Sequence, residues 1–472
     1  MNQPVRDLGS FRDPGGYVFR DGRRIVRAVM PRAAESFADV HDSGILKTLS
    51  DAGLMLPTLR LAASAEQLAL YPGARGDHAA ALYEHPVVPL ISYPYEWVFS
   101  QLKEAALAHL DAQILAFDAG FVFSDATAYN MQFVGGRAVH IDAMSVRRYR
   151  EGEAWGGYNQ FCRQFLLPLL IEAWAGVGFQ RLYRGSMAGI AFEDALAILP
   201  RRKLMTSMSG FLHVWLHGRA VIRESSEIGR DRAQAARLPK ARYGAILKQM
   251  RDFVAGLDSA KRPASYWKTY AAANSYSDGM RDTKLAFVRD WAGVSKPGTV
   301  WDIGGNTGDF SLAALEGGAE RAVILDADAD SLEAAWRTRT KKGHPGLMPL
   351  YMDLGDPSPD MGWQQRERKG LGTRAGGADG MVALAVIHHM CIAGNLPLDE
   401  VVAWFLSLAP TGVIEFVPKR DPMVQGLLAV REDVFDDYTT ERCRALIAAQ
   451  AEITAEHVFE ENGRTLFAWT KK

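Results

Sequence analysis

Cysteine is nearly absent. The three residues present, Cys162, Cys391 and Cys443, lie far apart and form no CxxC pair, which excludes a zinc cluster or a disulfide framework as the organising feature. Long apolar runs are missing too: no stretch reaches the about 18 residues that a membrane span needs, and the opening "MNQPVRDLGSFRDPGG" has no apolar leader core. Neither a spanning segment nor a signal peptide is expected, and the expected location is the cytoplasm. Charge of one sign is also lacking, since 54 Lys plus Arg stand against 55 Asp plus Glu for a formal net charge of −1. A dedicated nucleic-acid binder is normally basic, so neither nucleic acid nor membrane is expected as a partner. Internal repeats and low-complexity tracts are missing as well.

What is there is the composition of a folded protein, 48% hydrophobic and 23% charged. A chain of 472 residues exceeds one ordinary core, so two or three domains are expected. The one marked shift is a basic run with nine Lys/Arg between Arg219 and Arg251. Read as a solvated helix face, it makes 219–262 a basic helical linker between an N-terminal domain, 1–218, and a C-terminal domain, 263–472.

Beyond this joint, strands and helices alternate. "GTVWDIGG", "RAVILDAD", "GLMPLYMDL", "GMVALAVIHHM" and "TGVIEFVP" read as five short apolar strands. Between the first three lie the helical "GDFSLAALEGG" and "DSLEAAWRTRTKKG", each closed by glycine. The end, "AEITAEHVFEENGRTLFAWTKK", reads as two strands joined by a turn at Asn462-Gly463. The alternation implies an α/β, doubly wound parallel sheet, and the closing hairpin an antiparallel edge.

The turn after the first of these strands, "WDIGGNTGDF", carries the chemistry. No Lys-Ser or Lys-Thr follows its glycines, so it is not a P-loop. Asn306 and Asp309 stand where the dinucleotide fingerprint needs glycine. Gly304, Gly305 and Gly308 let the backbone approach a ligand closely, and Asp302 ahead of them suits a ligand with positive charge. The next two strands end at Asp326 and Asp353, which puts carboxylates at the edge where open sheets bind ligands. Three acids in register beside a glycine turn form a coherent site.

This constellation resembles the class I S-adenosylmethionine-dependent methyltransferase superfamily over about residues 265–472. The resemblance implies a Rossmann-like, seven-stranded sheet whose last two strands are the terminal hairpin. It also implies S-adenosyl-L-methionine as cofactor, with Asp302 and Gly304 toward its methionine part, Asp326 toward the ribose and Asp353 toward the adenine, and with Gly305, Asn306, Gly308, Asp328 and Leu354 as further cofactor-binding residues. Asn306 departs from the family motif, which has glycine at that position.

Methyl transfer requires alignment, exclusion of water and, for some acceptors, a base. His388 and His389, after the fourth strand, are candidate bases because histidine titrates near working pH. At and after the fifth strand, Glu415 and Asp421 are offered to the acceptor side, with Glu415 a catalytic candidate. Between the third and fourth strands, Trp363, Arg366, Glu367 and Arg368 are read either as lining a substrate cleft or as a solvated loop with a structural Trp, with Glu367 a further catalytic candidate. No Asn/Asp-Pro-Pro-Tyr/Phe or Pro-Cys follows the fourth strand. That leaves a small molecule, or a group on a saccharide or carrier, as the expected acceptor.

In the first half, "AGFVFSDATAYNMQFVGGRAVHIDAMS" follows a helical run and places Asp125, Asn130 and Asp142 around a hairpin with a Gly-Gly turn. This segment resembles the catalytic segment of the protein-kinase-like superfamily. The resemblance implies an α+β N-terminal domain in which Asp125 handles an acceptor hydroxyl while Asn130 and Asp142 hold magnesium with ATP. Phe123-Ser124 and Ala143-Met144 depart from the family pattern, and the usual nucleotide-covering glycines are missing. No metal site is expected unless this lobe is active. The layout as a whole also resembles two-part bacterial methyltransferases grouped with nodulation proteins. Three readings follow: a methyltransferase whose first half positions the acceptor, a bifunctional kinase-methyltransferase, and a non-catalytic nucleotide-binding regulator. The first is preferred.

Overall fold

The computed structural model describes residues 3–223, 237–260, 278–374 and 377–472. The chain forms two compact units, one of residues 1–261 with 361–368 and the other of 262–360 with 369–472.

The first unit opens with an antiparallel sheet of β1 (Val5–Arg6), β2 (Gly16–Asp21), β3 (Arg24–Val29), β4 (Leu59–Leu61) and β5 (Ala81–His85), in the order β1-β2-β3-β5-β4. The β2–β3 turn uses Gly22 at φ +59°, a conformation open to glycine at no steric cost. The helix Pro31–Asp42 follows β3 and buries Phe37 and Val40 against Leu46, Leu49 and Tyr83. Next come the long helix Phe99–Asp118 and four short strands: β6 (Phe121–Phe123), β7 (Met131–Val134), β8 (Arg137–His140) and β9 (Val146–Arg148). These pair antiparallel as β6 with β9 and β7 with β8. The Gly135-Gly136 turn between β7 and β8 has both residues left-handed, at φ +56° and +80°.

Two findings correct the sequence reading here. The helix Lys240–Ala255, expected within a linker, is a packing element of the first unit. Tyr243 stacks on Phe117 with ring centroids 4.5 Å apart, and Arg251 Nε bonds Asp111 at 2.8 Å. The rest of that basic run, 224–236, lies outside the described residues. Second, residues 361–368 leave the C-terminal sheet's own unit and pack in the first. Glu367, 6% exposed, takes both Arg12 Nε (2.7 Å) and a terminal nitrogen of Arg12 (2.6 Å). Trp363 sits beside Phe11 with centroids 5.6 Å apart, and Arg366 lies over both rings. Arg368 lies 4.6 Å over the ring of Tyr129.

The second unit is built on β10 (Thr299–Ile303), β11 (Arg321–Asp326), β12 (Leu347–Tyr351), β13 (Gly380–Ala383), β14 (Thr411–Phe416), β15 (Ala451–Val458) and β16 (Thr465–Lys471). Their order is β12-β11-β10-β13-β14-β16-β15. The first five are parallel, while β16 lies antiparallel to both β14 and β15. Helices Asp309–Glu316 and Ala329–Lys342 make the first two crossovers, the second closed by left-handed Gly343. The hairpin turns with Gly463 at φ +77°, as the Asn-Gly pair implies. Strand β13 is shorter than the apolar run suggests, because Ala385 at φ +53° leaves the extended region and His389–Ala393 is helical. On one face of the sheet, Val288 and Trp291 of the helix Asp278–Ser295 pack with Val300, Val382 and Val413. Burying such a side chain contributes about 1.5–3 kcal/mol.

Candidate functional site

At the carboxyl edge of β10 the backbone turns sharply at Gly304 (φ +70°), Asn306 (φ +48°) and Gly308 (φ +83°). Asn306 supplies the left-handed conformation expected of glycine, and asparagine is among the few other residues that adopt it readily. A Cβ at Gly304 would stand 2.9 Å from Val386 Cγ2, and one at Gly305 2.5 Å from the Asp302 carboxyl carbon. The turn is thus a cradle that packs on Val386, Asp302 and Ile324 with no room for side chains beneath it.

Asp326 holds the turn in place. Its Oδ2 accepts the Asn306 amide at 2.9 Å and its Oδ1 the Asp328 amide at 2.8 Å. The Ala327 amide donates to the same carboxylate, which leaves acceptor capacity for one further donor such as a hydroxyl. Burial pushes this half-buried carboxyl up to about 6. The strand register runs Asp302 against Ile324 and Asp326 against Tyr351, so the ends of β10, β11 and β12 meet at one edge. Asp353, two residues past β12, accepts the Gly355 amide at 3.1 Å, and both it and Leu354 are half-buried.

Two acids expected to face a cofactor are committed elsewhere. Asp302 is 1% exposed and accepts the Ser311 hydroxyl at 2.7 Å, which ties β10 to the following helix. Burial pushes it up to about 7. Asp328 caps the helix Ala329–Lys342, accepting the Asp330 amide at 3.1 Å and the Ser331 hydroxyl at 2.9 Å.

On the acceptor side, His388 is buried and His389 half-buried, their rings 4.1 Å apart. Burial, aided by the Arg464 charge, pushes His389 down to about 4, so it is a neutral imidazole at working pH. Glu415 is no free base. It is fully buried, bonds Lys284 Nζ at 2.5 Å and lies 3.3 Å from an Arg464 terminal nitrogen. Arg464 also grips Asp421 through two bonds, at 2.6 and 3.0 Å. Glu367 belongs to the first unit, as described, and burial of its carboxylate on Arg12 removes it from the catalytic candidates. Lys284 and Arg464 escaped the sequence reading. The signal for Lys284 was a charge on an apolar stripe, Met280, Lys284, Val288 and Trp291, that faces the sheet.

In the first unit, Asn130 Nδ2 donates to Asp125 Oδ1 at 3.3 Å and to Asp142 Oδ2 at 3.4 Å, so the sequence trio is one cluster. Arg27 on β3, which sequence reasoning missed, lies 3.1 Å from Asp142 Oδ1. Burial and then the Asp142 charge push Asp125 up to about 7. Among the described residues no group of three or more His, Cys, Asp and Glu side chains is placed to hold a metal ion.

No family model matches the chain. Among solved structures, an O-methyltransferase from Bacillus cereus in complex with SAH is 16% identical, with 43% of this chain and 88% of that one covered and a TM-score of 0.29. WbdD, a bifunctional kinase-methyltransferase, is 15% identical over 47% of this chain and 46% of its own, with a TM-score of 0.29. Along nearly its whole length the chain is 40% identical to nodulation protein NoeA of Rhizobium meliloti (strain 1021), over 471 residues, 99% of this chain and 97% of the relative. The chain belongs to the family of nodulation protein NoeA.

Proposed function

We propose that the chain is an S-adenosylmethionine-dependent methyltransferase acting on a small molecule or on a saccharide- or carrier-bound acceptor. The observation that carries this reading is the left-handed turn at 304–308, held by Asp326, whose carboxylate accepts backbone amides and keeps capacity for one more donor. The cradle fits the cofactor, since glycines let the backbone turn tightly at the strand edge and Asp326 keeps an acceptor for a ribose hydroxyl. When bound, the cofactor supplies an electrophilic methyl group. The chain's own part is to orient the acceptor and exclude water, with His389 as a neutral imidazole able to accept a hydrogen bond from an acceptor hydroxyl.

Calorimetric titration of the full chain with S-adenosylmethionine tests this. Micromolar binding is expected, falling at least tenfold in Asp326→Ala. A wild-type chain that takes up no cofactor would remove the reading and leave only the fold.

The gathering of Asp125, Asn130 and Asp142 supports a second reading, a bifunctional enzyme that also binds magnesium–ATP. Asn130 and Asp142 would hold the metal, and Arg27 beside Asp142 would meet the phosphates. Titration with magnesium–ATP should then give a signal that Asp142→Ala abolishes. An unchanged signal in that variant, or none in the wild type, argues for a first half that only positions the acceptor.

A further inference from the structure

The helices closing the first unit's described stretch present an unusual outer face. Arg201–Thr206 is followed by helical residues that run continuously from Met208 to Arg223. Their inner side is fully used. Val214 is buried, a Cβ at Gly210 would stand 2.7 Å from the Trp174 ring, and one at Gly218 2.9 Å from Phe192. Tyr158 Oη bonds His213 Nδ1 at 2.6 Å. The outer side should therefore be polar, yet Met208 is 70% exposed, Leu216 54%, Met205 54% and Leu212 37%. Clustered large apolar side chains on a surface mark an interaction site.

The charges beside them specify the occupant. Arg201, Arg202, Lys203 and Arg219 are all exposed, and Arg219 lies 4.3 Å over the Trp215 ring. No acidic residue occurs anywhere from 195 to 223, in a chain whose formal net charge is only −1. Exposed methionine and leucine flanked by arginine and lysine, with the nearest preceding acids, Glu193 and Asp194, on the neighbouring helix Phe192–Ile198, are the composition of a helix lying in the interface of an anionic bilayer. Flexible apolar side chains enter the acyl boundary while the cations meet headgroup phosphates, and long basic stems reach both. An interfacial helix needs no spanning length, so the lack of a helix able to cross a membrane among the described residues does not bear on it.

We infer that the face formed by Met205, Met208, Leu212 and Leu216, with Arg201, Arg202, Lys203 and Arg219, docks the chain on an anionic lipid surface. This departs from the sequence expectation of no membrane partner, which rested on spanning segments and net charge alone.

Flotation of the full-length chain with vesicles tests the inference. Vesicles of phosphatidylcholine with phosphatidylglycerol should carry at least tenfold more protein than phosphatidylcholine alone, and raised salt should reduce the fraction bound. Met208→Glu with Leu216→Glu should cut flotation at least tenfold, and so should Arg201→Glu with Arg202→Glu. All four positions are exposed, so unchanged circular dichroism and thermal unfolding should accompany both variants. Equal flotation with neutral and anionic vesicles overturns the inference. So does undiminished flotation of either variant, or no flotation of the wild type. An acidic protein captured through this face while vesicles are ignored would likewise replace the lipid as occupant.

Discussion

Arg464→Met is expected to lower the stability of the C-terminal unit by about 3–5 kcal/mol, the range for removing one partner from a buried ion pair. Arg464 and Lys284 are 1% exposed and Glu415 and Asp421 0%, so the substitution leaves two buried carboxylates facing one ammonium. Burial already pushes Lys284 down to about 8, although Glu415 pulls the other way, which shows how much its charge depends on the cluster. Asp421 also caps the helix Pro422–Leu428 through the Met423 amide at 2.9 Å, so the damage spreads beyond one side chain. Replacing both Lys284 and Glu415 by apolar residues of similar volume should cost less than the sum of the single replacements, because no stranded charge remains. Urea unfolding followed by fluorescence of Trp291, Trp301 and Trp469, all in this unit, reads the effect. A loss below about 1 kcal/mol would place the cluster among ordinary hydrated ion pairs and remove the idea.

Acidification should unfold the two units in order, the N-terminal one first. Burial pushes His85 down to about 4 and His109 and His140 down to about 3. A histidine whose folded pKa lies below its ordinary 6.5 stabilises the fold above that pH and loses this contribution as pH falls toward the folded value. By pH 5 each of the three has lost about 2 kcal/mol. Asp125, raised to about 7, binds its proton more readily when folded and so returns about 2–3 kcal/mol over the same interval. His217, pushed down to about 4 by burial, and His213, lowered likewise, add to the loss, so the net for this unit exceeds about 3 kcal/mol. In the C-terminal unit the lowered His388 and His389 are opposed by Asp302 and Asp326, raised to about 7 and about 6, and the contributions nearly cancel. Hydrogen exchange read by mass spectrometry between pH 7 and about pH 5 separates the units. His109→Phe should flatten the slope of the first, since that ring already packs against both Phe161 and Phe165. Simultaneous loss of protection in both units would contradict this ordering.

The C-terminal sheet could be read from the chain because its information is local. Short apolar runs, glycine stops and an Asn-Gly turn locate β10, β11, β12, β14, β15 and β16. Only β13 came out too long, because apolar side chains continue past the backbone break at Ala385. The turn at 304–308 and Asp326 were legible for the same reason. What Asp302 and Asp328 bond to was not, since a carboxylate at a strand end looks alike whether it caps a helix or meets a ligand. Lys284, Glu415, Arg464 and Asp421 meet across 131, 49 and 43 residues of chain, a distance that spacing cannot bridge. The trio Asp125, Asn130 and Asp142 was visible as a motif, whereas Arg27 joins it only through the sheet of β1 to β5. Glu367 misled for the opposite reason: the chain on either side of the 361–368 segment belongs to one unit, while Glu367 and its partner belong to the other.

That excursion of 361–368 has a consequence for the order of synthesis. A ribosome that has released residue 261 has delivered almost all of the first unit, but not the carboxylate for Arg12 or the guanidinium that covers Tyr129. The nascent chain must carry this unfinished surface while β10, β11 and β12 are being made. It is completed only after residue 368 emerges, before β13 and β14 exist to close the second sheet. Vectorial folding here is interleaved rather than sequential, and a chain cut at the apparent boundary would release a first half that can never be finished.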